Sequence, residues 1–162
     1  MRILILVISI LLNVTALAAR ADREKPCHIT SDSAVFHQKT KTVEFFGHVI
    51  SAQGSSQSSS DYAKGLGDAS GRIRQIILRG KPAKYRTQSD EDSYPILAMA
   101  DTIIDYADED RVYLEGHAFA QHGTDSIEGD RICYHKKSGT IRSISISDKP
   151  TKTVFTLKSK GK

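Results

Sequence analysis

The side chains able to do chemistry in this 162-residue chain are six histidines, two cysteines and nineteen carboxylates, and their spacing decides what they can do together. His117, His122 and Asp125 form the densest group of potential metal ligands or proton carriers. On a strand, residues an odd number apart face opposite sides, so His117 and His122 share a ligand sphere only if the chain bends at Gly123. His48 and His117 hold matching places in the two halves of the chain, on the outward face of their strands, where a solvated histidine is the simpler reading. The acidic runs Asp90-Glu91-Asp92 and Asp108-Glu109-Asp110 fall at predicted turns, the ordinary place for such residues. No Gly-x-Ser-x-Gly, His-Glu-x-x-His or glycine-rich phosphate loop occurs. The motifs therefore identify no catalytic residue, no metal ligand and no cofactor, and an enzyme is the weakest of the functions the sequence could serve.

Cys27 and Cys133 remain. An oxidising compartment would favour a disulfide, but strands stacked about 4.8 Å apart would hold an early and a late cysteine beyond bonding reach. Three states stay open: free buried thiols, a bond between neighbouring molecules, and a chain that folds back so that its ends meet.

The elements that must position these residues are written in a repeat. Asp32, Gly47, His48, Gly54 and Asp61 recur as Asp101, Gly116, His117, Gly123 and Asp130, each pair 69 residues apart. After the loss of one residue, Ser70, Gly71, Ile73, Arg74, Ile76, Lys81, Pro82 and Lys84 recur 68 residues later, from Ser138 to Lys152. A match at fixed offset is the mark of stacked units that work through one long surface. Apolar and polar residues alternate with period two along the units, the pattern of half-buried strands. The runs are Ile29 to Phe36, Val43 to Ile50, Ile73 to Leu78, Ala83 to Thr87, Ile96 to Tyr106, Val112 to Ala118, Ile132 to His135, Ile141 to Ile146 and Thr153 to Leu157. Turn residues separate them at Lys39-Thr40-Lys41, Gly80-Lys81-Pro82, Asp108-Glu109-Asp110, Lys137-Ser138-Gly139 and Asp148-Lys149-Pro150. Gly47 and Gly116 lie inside strands, where a missing side chain marks a bend, and a sheet that bends at the same place in each repeat curls. The serine tract 55–60 reads by composition as a linker; its register with the second half favours a rung of the sheet.

One face of these strands is apolar: Ile29, Val35, Val43, Phe45, Val49, Ile76, Tyr85, Val112, Leu114 and Ile141 line it. In a closed sheet such a face is only a core, whereas in a half-open, curling one it is a trough for acyl chains.

Residues 1–21 read as an export signal: Arg2, then the apolar run Ile3 to Leu17, then small residues for cleavage after Ala18 or Ala21. The mature protein is expected in the periplasm, with a β domain over 22–157 and a basic tail at 158–162. Removing the signal lowers the formal charge from +4 to +2 and removes most of the case for a nucleic-acid partner.

The order and spacing of several segments resemble the OstA-like family, the LptA-type proteins of lipopolysaccharide transport. They are Pro26-Cys27-His28-Ile29-Thr30-Ser31-Asp32, Val43-Glu44-Phe45-Phe46-Gly47-His48-Val49 with Gln53-Gly54, Gly80-Lys81-Pro82-Ala83, Leu114-Glu115-Gly116-His117-Ala118 and Gly129-Asp130-Arg131-Ile132-Cys133-Tyr134. The resemblance spans roughly 26–156. It implies an all-β fold, an open twisted β-jelly roll of stacked antiparallel strands whose apolar interior carries the acyl chains of lipopolysaccharide. It also implies end-to-end self-association through edge strands, with LptC at the N-terminal edge and LptD at the C-terminal edge, and neither cofactor nor catalytic step. Carried over by motif, the lining comprises Cys27 and Ile29, then Val43, Phe45 and Val49, then Tyr85. Cys27 stands where an aliphatic residue is usual, and the serine tract replaces an apolar strand.

Two other readings compete. An LptC-like partner anchored by an uncleaved segment 3–17 would share fold and ligand. A secreted β-sheet module for carbohydrate would need exposed aromatics for stacking, and the chain has no tryptophan.

Overall fold

The computed structural model describes residues 25–88, 94–138, 140–148 and 150–156. The expected signal at 1–21, the acidic run Asp90-Glu91-Asp92 and the tail 158–162 lie outside them. Ten strands follow in chain order: β1 (His28–Thr30), β2 (Ser33–His37), β3 (Thr42–Gln53), β4 (Ser56–Gly67), β5 (Ile73–Thr87), β6 (Ile96–Tyr106), β7 (Arg111–His122), β8 (Asp125–His135), β9 (Thr140–Ile144) and β10 (Lys152–Val154). All belong to one antiparallel sheet in which each strand pairs with its sequence neighbour, except that β1 and β2 both lie on β3, and β9 and β10 both lie on β8. There is no helix among the described residues. The period-two alternation thus corresponds to an all-β, open sheet whose edges, among the described residues, are β1 with β2 and β9 with β10.

The serine tract is a complete rung. Ser56 to Gly67 pairs with β3 on one side and β5 on the other, from Gln53↔Ser56 to Gly67↔Ile73. Gly80-Lys81-Pro82 corrects a sequence expectation in the opposite sense: it is not a turn between two strands but a bulge inside β5, which runs unbroken from Ile73 to Thr87. Proline and glycine signal a break in regular pairing, and a bulge within a strand meets that signal as well as a turn does.

A line of irregular pairing crosses the whole sheet. The register shifts between Phe46 and Val49, Ser59 and Tyr62, Arg79 and Ala83, Met99 and Thr102, and Glu115 and Ala118. At the edges the same line falls in the gaps between β1 and β2 and between β9 and β10. Each long strand therefore bends at one place, and the bends align into a crease that folds the sheet into two wings.

The recurring residues of the sequence build this crease. Gly47 and His48 take φ of 73° and 45°, and Gly116 and His117 take 76° and 49°, so each pair turns through the left-handed region on consecutive residues. Glycine does so freely, and histidine is among the side chains that tolerate it. A Cβ on Gly47 would collide with the carboxylate of Asp32, and one on Gly116 with that of Asp101. The repeat encodes a corner, made twice.

Inside the fold, a single apolar cluster spans the crease: Val49, Ala83, Ala98, Ala100, Ala118 and Ala120 on one wing, and Ala63, Leu78, Ile103, Val112, Leu114 and Ile132 on the other. Many of its members are alanines, and Ile132 and Val49 are the largest side chains fully buried in it.

Candidate functional site

Cross-strand pairing fixes which side chains share the inner face. Next to the crease on the first wing runs the row Ala34, Phe45, Ala63, Leu78, Ile103, Leu114, Ile132 and Ser143. One step farther out runs Phe36, Val43, Gly65, Ile76, Asp105, Val112, Tyr134 and Ile141. On the second wing the row is Ile29, Ser51, Ser58, Tyr85, Ala98, Ala120, Ile127 and Thr153, with Val49 and Ser60 nearer the crease.

Exposure on the inner face depends on both the row and the strand. In the interior strand β5 it rises from 6% at Leu78 beside the crease to 40% at Ile76 one step out, although Val112, level with Ile76, is 7% exposed; in the edge strands Ile141 reaches 41% and Phe36 61%. Ile29 on the second wing stands at 39%. A closed core would bury all of these. The inner face is instead a trough with a dry floor and apolar walls still open to a ligand, and eight rungs at ordinary strand spacing give it a length of about 34 Å.

Of the residues expected on this face, Ile29, Val43, Phe45, Val49, Ile76, Tyr85, Val112, Leu114 and Ile141 occupy the rows just given. Val35 does not. It pairs with Glu44 and so lies on the outer face, while Ala34 and Phe36 point inward. The reason is the crease: between Thr30 and Ser33 the chain leaves β3, and the alternation begun at Ile29 restarts one residue out of step. Cys27 is exposed just before β1, and Cys133 lies in β8 near the opposite edge of the sheet; both are free thiols.

Several inner residues were not singled out from the sequence. Ile103 and Ile132 sit beyond parity shifts, Leu78 shares the parity of Ile76 and needed none, and the alanines of β6 and β7 are too small to stand out, although Ala98-x-Ala100 and Ala118-x-Ala120 repeat the inward spacing. Asp105 is charged and lies on the inner face. Its two carboxylate oxygens accept hydrogen bonds from Lys136 Nζ at 2.6 and 2.7 Å, which neutralises it there.

The histidines serve the crease. His48 Nδ1 is 2.8 Å from Asp32 Oδ2, and His117 Nδ1 is 2.8 Å from Asp101 Oδ2. Both rings are exposed and point outward, and the hydrogen bond to Asp32 raises the pKa of His48 above its ordinary value. His122 lies at the far end of β7, and no group of three or more histidine, cysteine or carboxylate side chains is arranged to hold a metal among the described residues. Asp130, the counterpart of Asp61, closes the crease near the C-terminal edge. Its Oδ2 accepts from the backbone N–H of Ile146 and of Ser147 at 2.7 Å and from Ser147 Oγ at 2.8 Å, and these bonds, led by those from Ser147, hold its pKa down at about 2.

The outer face carries polar and aromatic pairs beside exposed aliphatic residues such as Val35, Ile50 and Ile144. Tyr62 OH donates to Glu44 at 2.5 Å, and burial followed by this bond pushes its pKa up to about 12. The guanidinium of Arg131 lies 5.0 Å from the Tyr113 ring centre and bonds Glu115 at 2.7 Å. Such pairs suit a solvated surface.

Comparison with known proteins bears directly on this geometry. The model of the LptA/(LptD N-terminal domain) LPS transport protein family matches residues 28–140. The chain belongs to that family. It is 29% identical over 144 residues to the lipopolysaccharide export system protein LptA of Escherichia coli K12, covering 88% of this chain and 77% of that protein, and equally similar to LptA of Shigella flexneri. Among solved structures it matches LptH, the LptA-homologous periplasmic component of the lipopolysaccharide transport device of Pseudomonas aeruginosa. That match has a TM-score of 0.75 over 84% of this chain and 99% of the other, at 24% identity, and speaks to the fold: an open β-jelly roll.

Proposed function

We propose that this member of the LPS transport family carries lipopolysaccharide across the periplasm, with the acyl chains lying along the trough between the two wings. One observation supports this above the others: Ile76, on the inner face of the interior strand β5, is 40% exposed two residues from the buried Leu78, which a sealed core would not allow. An acyl chain laid across the rungs would cover Phe36, Ile76, Ile141 and Ile29 and recover the hydrophobic free energy their exposure forfeits. Residues 1–21 would direct export. The open edges, β1 and β2 at one end and β9 and β10 at the other, carry unpaired backbone groups suited to strand addition. In this reading LptC docks on the first edge, LptD or a further copy of the chain on the second, and the energy for transfer comes from elsewhere.

The test compares two changes on one strand. Phe45 packs against the inner cluster, while Ile50 is 57% exposed on the outer face. Phe45→Asp should abolish lipopolysaccharide transfer and Ile50→Asp should leave it intact; equal transfer by two folded variants would overturn the assignment of the faces.

A further inference from the structure

The trough is not apolar throughout. On the second wing, where β3, β4 and β5 meet, its wall carries hydroxyls. Ser51 and Ser58 face each other with their oxygens 2.6 Å apart. Ser56 Oγ lies 3.0 Å from Thr87 Oγ1 and accepts a hydrogen bond from Tyr85 OH at 3.2 Å. Nearer the crease, Ser60 is 8% exposed and its hydroxyl has no hydrogen-bond partner. Register places Ser51, Ser56, Ser58, Ser60 and Tyr85 on the inner face, because Ser60 pairs with Val49, Ser58 with both Ser51 and Tyr85, and Ser56 with Gln53.

The second repeat shows that the rung does not require them. At the 69-residue offset Ser51, Ser58 and Ser60 correspond to Ala120, Ile127 and Gly129, which bear no hydroxyl and occupy the same wall in β7 and β8. A buried hydroxyl without a partner costs more than the alkyl group that could replace it. Each hydroxyl also offers two acceptor lone pairs and one donor, so the Ser51–Ser58 and Ser56–Thr87–Tyr85 groups keep acceptor capacity after bonding one another. None of the six side chains is charged, which suits a neutral polar group on the ligand rather than a phosphate.

We infer that this patch is a polar subsite of the trough that selects acyl chains bearing a hydroxyl group. A hydroxyl carried on an otherwise aliphatic chain donates to the serine oxygens and accepts from the hydroxyl that lacks a partner, while the rest of the chain lies against the alanine and isoleucine stretch of the same wall. The inference rests on the trough being the lipid site.

Competition by β-hydroxymyristate and by myristate against a fluorescent fatty acid, on the full mature chain, tests both layers separately. The hydroxylated chain should bind about five- to tenfold more tightly, the scale of one net hydrogen bond. The double variant Ser58→Ala, Ser60→Ala should lose that preference, so that the two chains bind alike. Ser60→Ala alone should weaken the preference while raising Tm, which shows that the loss is not a loss of folding. Equal binding of the two chains by the native protein, or an undiminished preference in the double variant, would overturn the subsite and leave the trough reading standing. Binding of neither chain would overturn the trough and the subsite with it.

Discussion

At the residue scale, the recurring side chains are corner pieces. Gly47→Ala and Gly116→Ala should each destabilise the fold by about 1–2 kcal/mol from left-handed strain alone, and by more as the new Cβ displaces Asp32 or Asp101. Urea denaturation measures this, and a change no larger than that of an exposed strand residue would show that the corner is not built as described. The crease also has an acid and a base side. Asp130 is held at about 2, below its ordinary 3.8, so its contribution is present at neutral pH and lost as pH falls from about 4 through about 2. The stability gap between the native protein and Asp130→Asn should therefore close over that range. His48 titrates in the opposite sense: its pKa is raised above 6.5, so its bond to Asp32 contributes fully below that value and fades as pH rises through the folded pKa. His48→Asn, which still tolerates positive φ, should differ most from the native protein in mild acid. The sequence already displayed these residues as a repeat, and Gly47 and Gly116 as bends. It did not display the Asp–His bonds, because each joins residues sixteen positions apart: Asp32, between β1 and β2, to His48 in β3, and Asp101 in β6 to His117 in β7.

At the element scale, period-two alternation located the strands well, and it failed where parity changes. Val35 was expected inside by counting from Ile29, yet two residues between β1 and β2 lie across the crease and reverse the alternation. The same physical cause hid Ile103, which follows the bulge in β6, whereas Leu78 keeps the parity of Ile76 and was legible by simple alternation. The serine tract shows the converse: its composition is that of a linker, but pairing to strands on both sides supplies the backbone bonds that make it a rung. Edge strands carry the element-scale prediction. Photo-crosslinkers at Thr30 in β1 and Thr153 in β10 should give protein–protein adducts in the cell envelope, whereas Tyr106, at the end of interior strand β6, should not. Adducts confined to Tyr106 would contradict docking through the edges.

At the scale of the whole molecule, one sheet creased down its length explains why the chain repeats. The repeat supplies two sets of corner residues, and the surface they create is an apolar trough rather than a point. The same architecture separates the thiols, with Cys27 beside β1 at one edge and Cys133 in β8 toward the other. Mass analysis under non-reducing conditions should find free thiols or an intermolecular bond, and a monomer with both cysteines in one crosslinked peptide would require a chain whose ends meet. The central claim is that lipid lies on the inner face, and neighbouring residues of β5 test it most directly. Ile76 faces the trough opposite Gly65 and Asp105, and Ile77 faces outward opposite Lys64 and Ile104. A photo-crosslinker at Ile76 should form a lipopolysaccharide adduct in the envelope and one at Ile77 should form none; adducts of equal yield at both positions, or at Ile77 alone, would contradict the account.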